Sequence, residues 1–239
     1  MAVTIDDLII EDLQNQTLLD EILFAKTSAE EKSKKNRLYD KFRKERTTIE
    51  KFVNLFPGDL AKNFVRLKAK NLLGLELIDY DKIREDGYEK HDLWDLKYEG
   101  KLIEVKSSIE KYTNVLQEII NQRRIIVFEA SGVKDLVIQV FFLYKDERAK
   151  KISSNYIAEN IQEKFYEINI YSIDDFVKMF KENFNIVICG FETKERIENN
   201  RNHSSVMHFY KKGEKSRDYQ NLFLKNAIPF KNLINELKK

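Results

Sequence analysis

The chain is poor in the residues that cross-link or punctuate a fold: its 239 residues include one cysteine, two prolines, seven glycines and one tryptophan. A lone cysteine, Cys189, excludes a disulfide framework, and its place in the apolar run Asn185-Ile186-Val187-Ile188-Cys189 marks it as a small buried hydrophobe. No apolar run approaches the ~18 residues of a membrane span. The N-terminus, with Asp6, Asp7, Glu11 and Asp12, also lacks the basic flank of a signal peptide, so a cytoplasmic protein without a membrane partner is expected. An excess of either charge is missing too. The 42 basic and 40 acidic side chains leave a formal net charge of +2, which by itself says little about nucleic acid. There is no P-loop, dinucleotide glycine pattern or Ser nucleophile elbow, and His203 and His208 have no third ligand at zinc spacing. What is present is a globular composition, 42% hydrophobic and 12% aromatic, on a chain long enough to bury a sizeable core.

Apolar residues at steps of three and four (Leu8, Ile9, Leu13, Leu18, Leu19, Ile22, Leu23) predict helix over residues 5 to 55. Within it, residues 30 to 46 carry Lys32, Lys34, Lys35, Arg37, Lys41, Arg43, Lys44 and Arg46, a solvated basic face or a phosphate contact. Pro57-Gly58-Asp59 predicts a break, with Asp59 opening a second helix that Gly74 closes. A first strand is expected over 75–83, helix over 109–121, and strands at 124–128 and 136–144. The last of these is apolar on both faces and belongs in the middle of a sheet. Beyond it come helix (153–164), a short strand (166–171), a helix opened by Ser172 and running to 184, and a strand at 186–189. Further on, strand is expected at 206–210 and a final helix over 219–239 broken at Pro229.

The most informative stretch runs from His91 to Ser108, two β-prone runs hinged at Glu99-Gly100. Glu104 and Lys106 leave the same face of the second run, whose apolar neighbours place it inside a sheet. Charges there need partners. An acid on the neighbouring strand would repel Glu104 unless a divalent cation lay between them, and Mg²⁺ is the hard ion that takes one or two carboxylates and keeps its waters. Which acid that is depends on the turn. A three-residue loop, Tyr98-Glu99-Gly100, sets Trp94 opposite Glu104 and Asp92 opposite Lys106; a two-residue loop, Glu99-Gly100, sets Asp95 opposite Glu104.

Asp92 followed by Gly100-Lys101-Leu102-Ile103-Glu104-Val105-Lys106-Ser107-Ser108 resembles the signature of the PD-(D/E)xK nuclease superfamily, which includes many type II restriction endonucleases. Asp92 suits that pattern better than Asp95 because it opens its run and precedes Leu93 and Trp94; His91 stands where proline is often found. The resemblance covers about 20 residues. It implies an α/β (α+β) fold with a restriction-endonuclease-like core, a central mixed β-sheet flanked by helices. On that basis residues 1–55 form an N-terminal helical arm, and residues 56–239 a nuclease domain with a C-terminal DNA-reading elaboration.

The implied chemistry is Mg²⁺-dependent hydrolysis of double-stranded DNA leaving 5′ phosphates. Asp92, Glu104 and the Val105 carbonyl are the implied metal ligands, and Asp92, Glu104 and Lys106 the catalytic set. Lys194, Arg196, Asn199, Asn200, Arg201, Asn202 and His203 are side-chain types that read base edges. Mass outside the core suits a sequence-specific restriction endonuclease working as a homodimer. A Holliday-junction resolvase, a repair nuclease and a non-catalytic DNA-binding protein are the competing expectations.

Overall fold

The computed structural model describes residues 3–35, 47–89, 92–110, 112–128, 134–153, 172–199 and 219–239. One strand, apolar on both faces, sets its centre. β6 (Leu136–Tyr144) is buried at every position, as its two apolar faces require, and lies between β4 (Lys101–Ile109) and β7 (Phe184–Thr193). The β4/β6 pair is parallel and β6/β7 antiparallel. Outside them stand β1 (Ile9–Asp12), beside β7, and β3 (Leu96–Tyr98) then β2 (Ile78–Asp79), beside β4. This completes a six-stranded mixed sheet in the order β1-β7-β6-β4-β3-β2. The fold is therefore mixed α/β, with helices on the sheet and an N-terminal helical region.

Alternation along the strands gives the sheet two apolar faces. Ile103, Val105, Leu136, Ile138, Val140 and Phe142 face α1 (Leu19–Lys35), α2 (Thr48–Leu73) and α6 (Ile173–Asn183), in one cluster with Phe52, Phe56, Phe176 and Phe180. Val137, Phe141, Leu143, Val187 and Cys189 face the other way. There they meet Ile119 and Ile120 of α4 (Leu116–Gln122), Ile125 of β5 (Arg124–Phe128) and Leu224. Glu104 and Lys106, alternating with Ile103 and Val105, leave β4 on this second face.

Several expectations are corrected. α2 does not begin at Asp59 but runs unbroken through Pro57. Its true start is a capping box, in which Thr47 and Glu50 exchange hydrogen bonds of 2.6 and 3.3 Å. Proline removes one helical donor; burial of Phe52, Phe56, Leu60, Ala61 and Phe64 on both sides of it keeps the helix continuous. Gly74 ends the helix in the left-handed conformation, φ 66°, as the sequence implied. Residues 9–12 are an edge strand rather than helix, and only Ile78–Asp79 of the expected first strand is extended, followed by α3 (Tyr80–Ile83). Residues 219–223 form β8, paired with β5 in a separate two-stranded sheet, and the chain's end is α-helical only over Leu233–Leu237, after 3-10 turns at Leu224–Asn226 and Phe230–Asn232. The expected elements at 166–171 and 206–210, and all but the first residue of 153–164, lie outside the described residues. Among those described, no helix is long and apolar enough to cross a membrane.

Candidate active site

The hairpin turns on two residues. Tyr98 pairs with Lys101, leaving Glu99 (φ 44°) and Gly100 (φ 94°) both left-handed, the combination that a two-residue primed turn demands. Leu96 then pairs with Ile103, the last pair of the ladder, and Asp95 is the next residue out, close enough to Glu104 for that charge to raise its carboxyl. The three-residue loop that set Asp92 opposite Lys106 is not the one adopted. A glutamate at positive φ is uncommon; spacing alone leaves both loops open, and the preference for Asp92 rests on the resemblance.

β3 begins only at Leu96, so the β4 edge beyond Ile103 is open to side chains. Asp95 fills it: its N–H donates to the Ile103 carbonyl at 3.2 Å, and its carboxylate accepts the Val105 N–H at 2.7 Å. In an antiparallel pair the N–H and C=O of one residue leave by the same edge, so the Val105 carbonyl leaves β4 on the side where Asp95 lies. Burial pushes the Asp95 carboxyl up to about 7, and the neighbouring Glu104 charge raises it further; the Val105 hydrogen bond and the Lys62 and Lys106 ammoniums oppose both. Glu104 accepts a short hydrogen bond from Lys106, and about a fifth of each of these two side chains is exposed (22% and 24%), so the group opens to solvent.

This donor set fits a hard divalent cation. Two carboxylates on facing strands disfavour each other's charge, a penalty that a cation between them removes. Among the described residues no three acids, histidines or cysteines are grouped to hold a metal. Asp95, Glu104 and the Val105 carbonyl would therefore leave several positions to water, as Mg²⁺ prefers.

Asp92 has other company. Its carboxylate bonds the Arg84 guanidinium and lies 3.5 Å from the Lys32 ammonium. These belong to a buried cluster centred on Asp81, which accepts from Lys32 at 2.6 Å, from Arg84 at 3.2 Å and from Lys62. Lys32 also holds Asp59 at 2.6 Å, and Lys62 holds Asp79 at 2.9 Å. Burial alone would raise Asp81, but the Lys62 and Lys32 ammoniums hold it below the usual carboxylate range. Lys32, expected on a solvated or phosphate-facing surface, is turned inward instead.

Of the side chains expected to read bases, Lys194, Arg196 and Asn199 lie on α7 (Lys194–Asn199), a short helix after β7. Lys194 and Asn199 are exposed, whereas Arg196 donates to the Asn226 carbonyl at 2.6 Å and lies 3.3 Å from the Glu192 carboxylate. Asn200, Arg201, Asn202 and His203 fall outside the described residues. Glu192 shares a row with Glu104 across β6, through Val137. Burial pushes its carboxyl up to about 7, with Arg196 opposing.

The sequence reading passed over Lys62, whose charge bears on Asp95, and the inward role of Lys32. The spacing of Asp59 and Lys62, three residues apart on one helical face, was the available local signal. Compared with protein-family models, with curated proteins and with solved structures, the chain matches none.

Proposed function

We propose that the chain is a Mg²⁺-dependent endodeoxyribonuclease of restriction-endonuclease-like fold. In this reading it is a cytoplasmic, sequence-specific type II enzyme that acts as a homodimer on double-stranded DNA and leaves 5′ phosphates. One observation carries this reading: beside a tight hairpin the Asp95 carboxylate, held by the Val105 N–H, lies near the Glu104 charge, with Lys106 bonded to Glu104 two residues along the same strand. Asp95 therefore takes the place in the acid pair that the resemblance assigned to Asp92.

Asp95, Glu104 and the Val105 carbonyl are the cation's ligands. The chemistry a bound Mg²⁺ supplies is a water acidic enough to attack near pH 7 and neutralisation of charge gathering on the phosphate. Lys106 lies where it can hold a phosphate oxygen or orient the attacking water. The Val105 N–H fixes one Asp95 oxygen and so aims the other. Lys194, Asn199 and the segment through His203 are the proposed DNA contacts.

Incubation of the purified protein with phage DNA and Mg²⁺ tests this. Discrete fragments, lost on adding a chelator, are expected. Cleavage of four-way junctions alone would reassign the protein as a resolvase, and binding without cleavage under any divalent ion would make it a DNA-binding module.

A further inference from the structure

The cluster around Asp81 is costly to build. It takes Lys32, Lys62, Arg84, Asp59, Asp79 and Asp81 out of water, and buried ion pairs seldom add net stability over apolar packing of the same volume. Asp59 Oδ2 and Asp79 Oδ2 are buried without a hydrogen-bond partner, so the arrangement is not optimised for stability. What it does achieve is connection. Lys32 comes from α1, Asp59 and Lys62 from α2, Asp79 and Asp81 from the β2–α3 junction, and Arg84 follows α3.

The cluster's outlet is Asp92, three residues before Asp95 on the irregular approach to β3. That approach makes few backbone bonds: the Tyr80 N–H donates to the Asp95 carbonyl at 3.2 Å, and Asp95 donates to Ile103. Trp94 packs edge-on to Tyr80 at 5.0 Å between ring centres. Besides the Asp95 bond to Val105 and the Trp94 ring, the segment is tied at its start by the Arg84 and Lys32 bonds to Asp92. We propose that this cluster aims Asp95. Asp92 and Lys32 are then positioning residues, and α1, more than 50 residues upstream in sequence, is part of the catalytic centre. The consequence for catalysis rests on the magnesium reading of Asp95 and Glu104; the positioning itself does not.

The Val105 amide reports Asp95's placement directly, since it donates to that carboxylate. Hydrogen exchange of the ¹⁵N-labelled protein should be compared for wild type, Asp92→Asn, Lys32→Met and a control, Lys68→Met. The control breaks the Lys68–Glu11 pair between α2 and β1, away from the cluster. Asp92→Asn keeps the shape of the side chain and serves should Lys32→Met fold poorly. In both cluster variants Val105 should exchange about tenfold faster relative to Glu104 and Lys106, whose amides face β6. In the control all three should change together.

If Val105 tracks its neighbours in Asp92→Asn as in the control, the positioning role is wrong. Titration with Mg²⁺ alone, followed by thermal shift, supplies the second arm: about fivefold weaker apparent affinity in Asp92→Asn and unchanged affinity in Lys68→Met. A wild-type protein that shows no response to Mg²⁺ would sink the nuclease reading, while the Val105 result would still decide the positioning claim.

Discussion

Two groups of acids and cations lie a few residues apart in this fold, and they are balanced in opposite ways. Around Asp81, each cation is shared among carboxylates, and three cations converge on one acid whose ionised form they favour. At the hairpin, burial drives the Asp95 carboxyl up to about 7, and the nearby Glu104 charge adds to the rise. The first group is mostly buried, and its three cations are each divided among several acids. The second opens to solvent at Glu104 and Lys106, and in the proposed reading it is where the cation binds.

The largest effects should separate the two groups by activity. Asp95→Ala, Glu104→Ala and Lys106→Ala should each lower cleavage by about 10³-fold or more while leaving DNA binding intact. Asp92→Asn should retain measurable turnover with a raised Mg²⁺ requirement. Equal loss at Asp92 and none at Asp95 would invert the comparison.

Stability should show the reverse order. Lys62→Met leaves Asp79 and Asp81 short of a buried cation and should cost about 3–5 kcal/mol in urea unfolding. Lys106→Ala, at the open group, should cost less than about 1 kcal/mol.

The pH dependence sharpens the contrast further. Asp95 holds its proton more tightly when folded, with a value of about 7 against 3.8 for the free group, so its stability contribution is most favourable below the lower value. The metal-free protein should therefore lose stability as pH rises from about 4 to about 7, by a few kcal/mol at most. Glu192, also raised to about 7, adds to the same slope. Asp95→Asn and Glu192→Gln should each flatten part of it, and Asp59, whose carboxyl burial also raises, should keep a remainder, in thermal unfolding measured across that range. Saturating Mg²⁺ should oppose the wild-type slope, because the cation favours ionised Asp95. The smallest effect is expected at the exposed Lys70–Glu76 pair, 2.7 Å apart. Lys70→Ala there should change stability by no more than about 0.5 kcal/mol.

Much of the centre was legible in sequence because it is local. The period-two spacing of Glu104 and Lys106, the hinge at Glu99-Gly100, the strand at 136–144 with its two apolar faces and the Ser172 cap all follow from neighbours on the chain. The choice between Asp92 and Asp95 did not, because it turns on whether Glu99 accepts a left-handed backbone, a matter settled by the ladder it closes. Lys32 looked like one more member of a basic run. Only the packing of α1 on α2 reveals that its ammonium is buried among Asp59, Asp81 and Asp92. Pro57 misled for a related reason, since a local helix-breaking signal yields to the burial of aromatic residues on either side.

The most direct test is a crystal grown with Mn²⁺ in place of Mg²⁺ and measured at the manganese edge. One anomalous peak is expected between the carboxylates of Asp95 and Glu104, beside the Val105 carbonyl. A peak at Asp92, or none near the hairpin, would contradict the account.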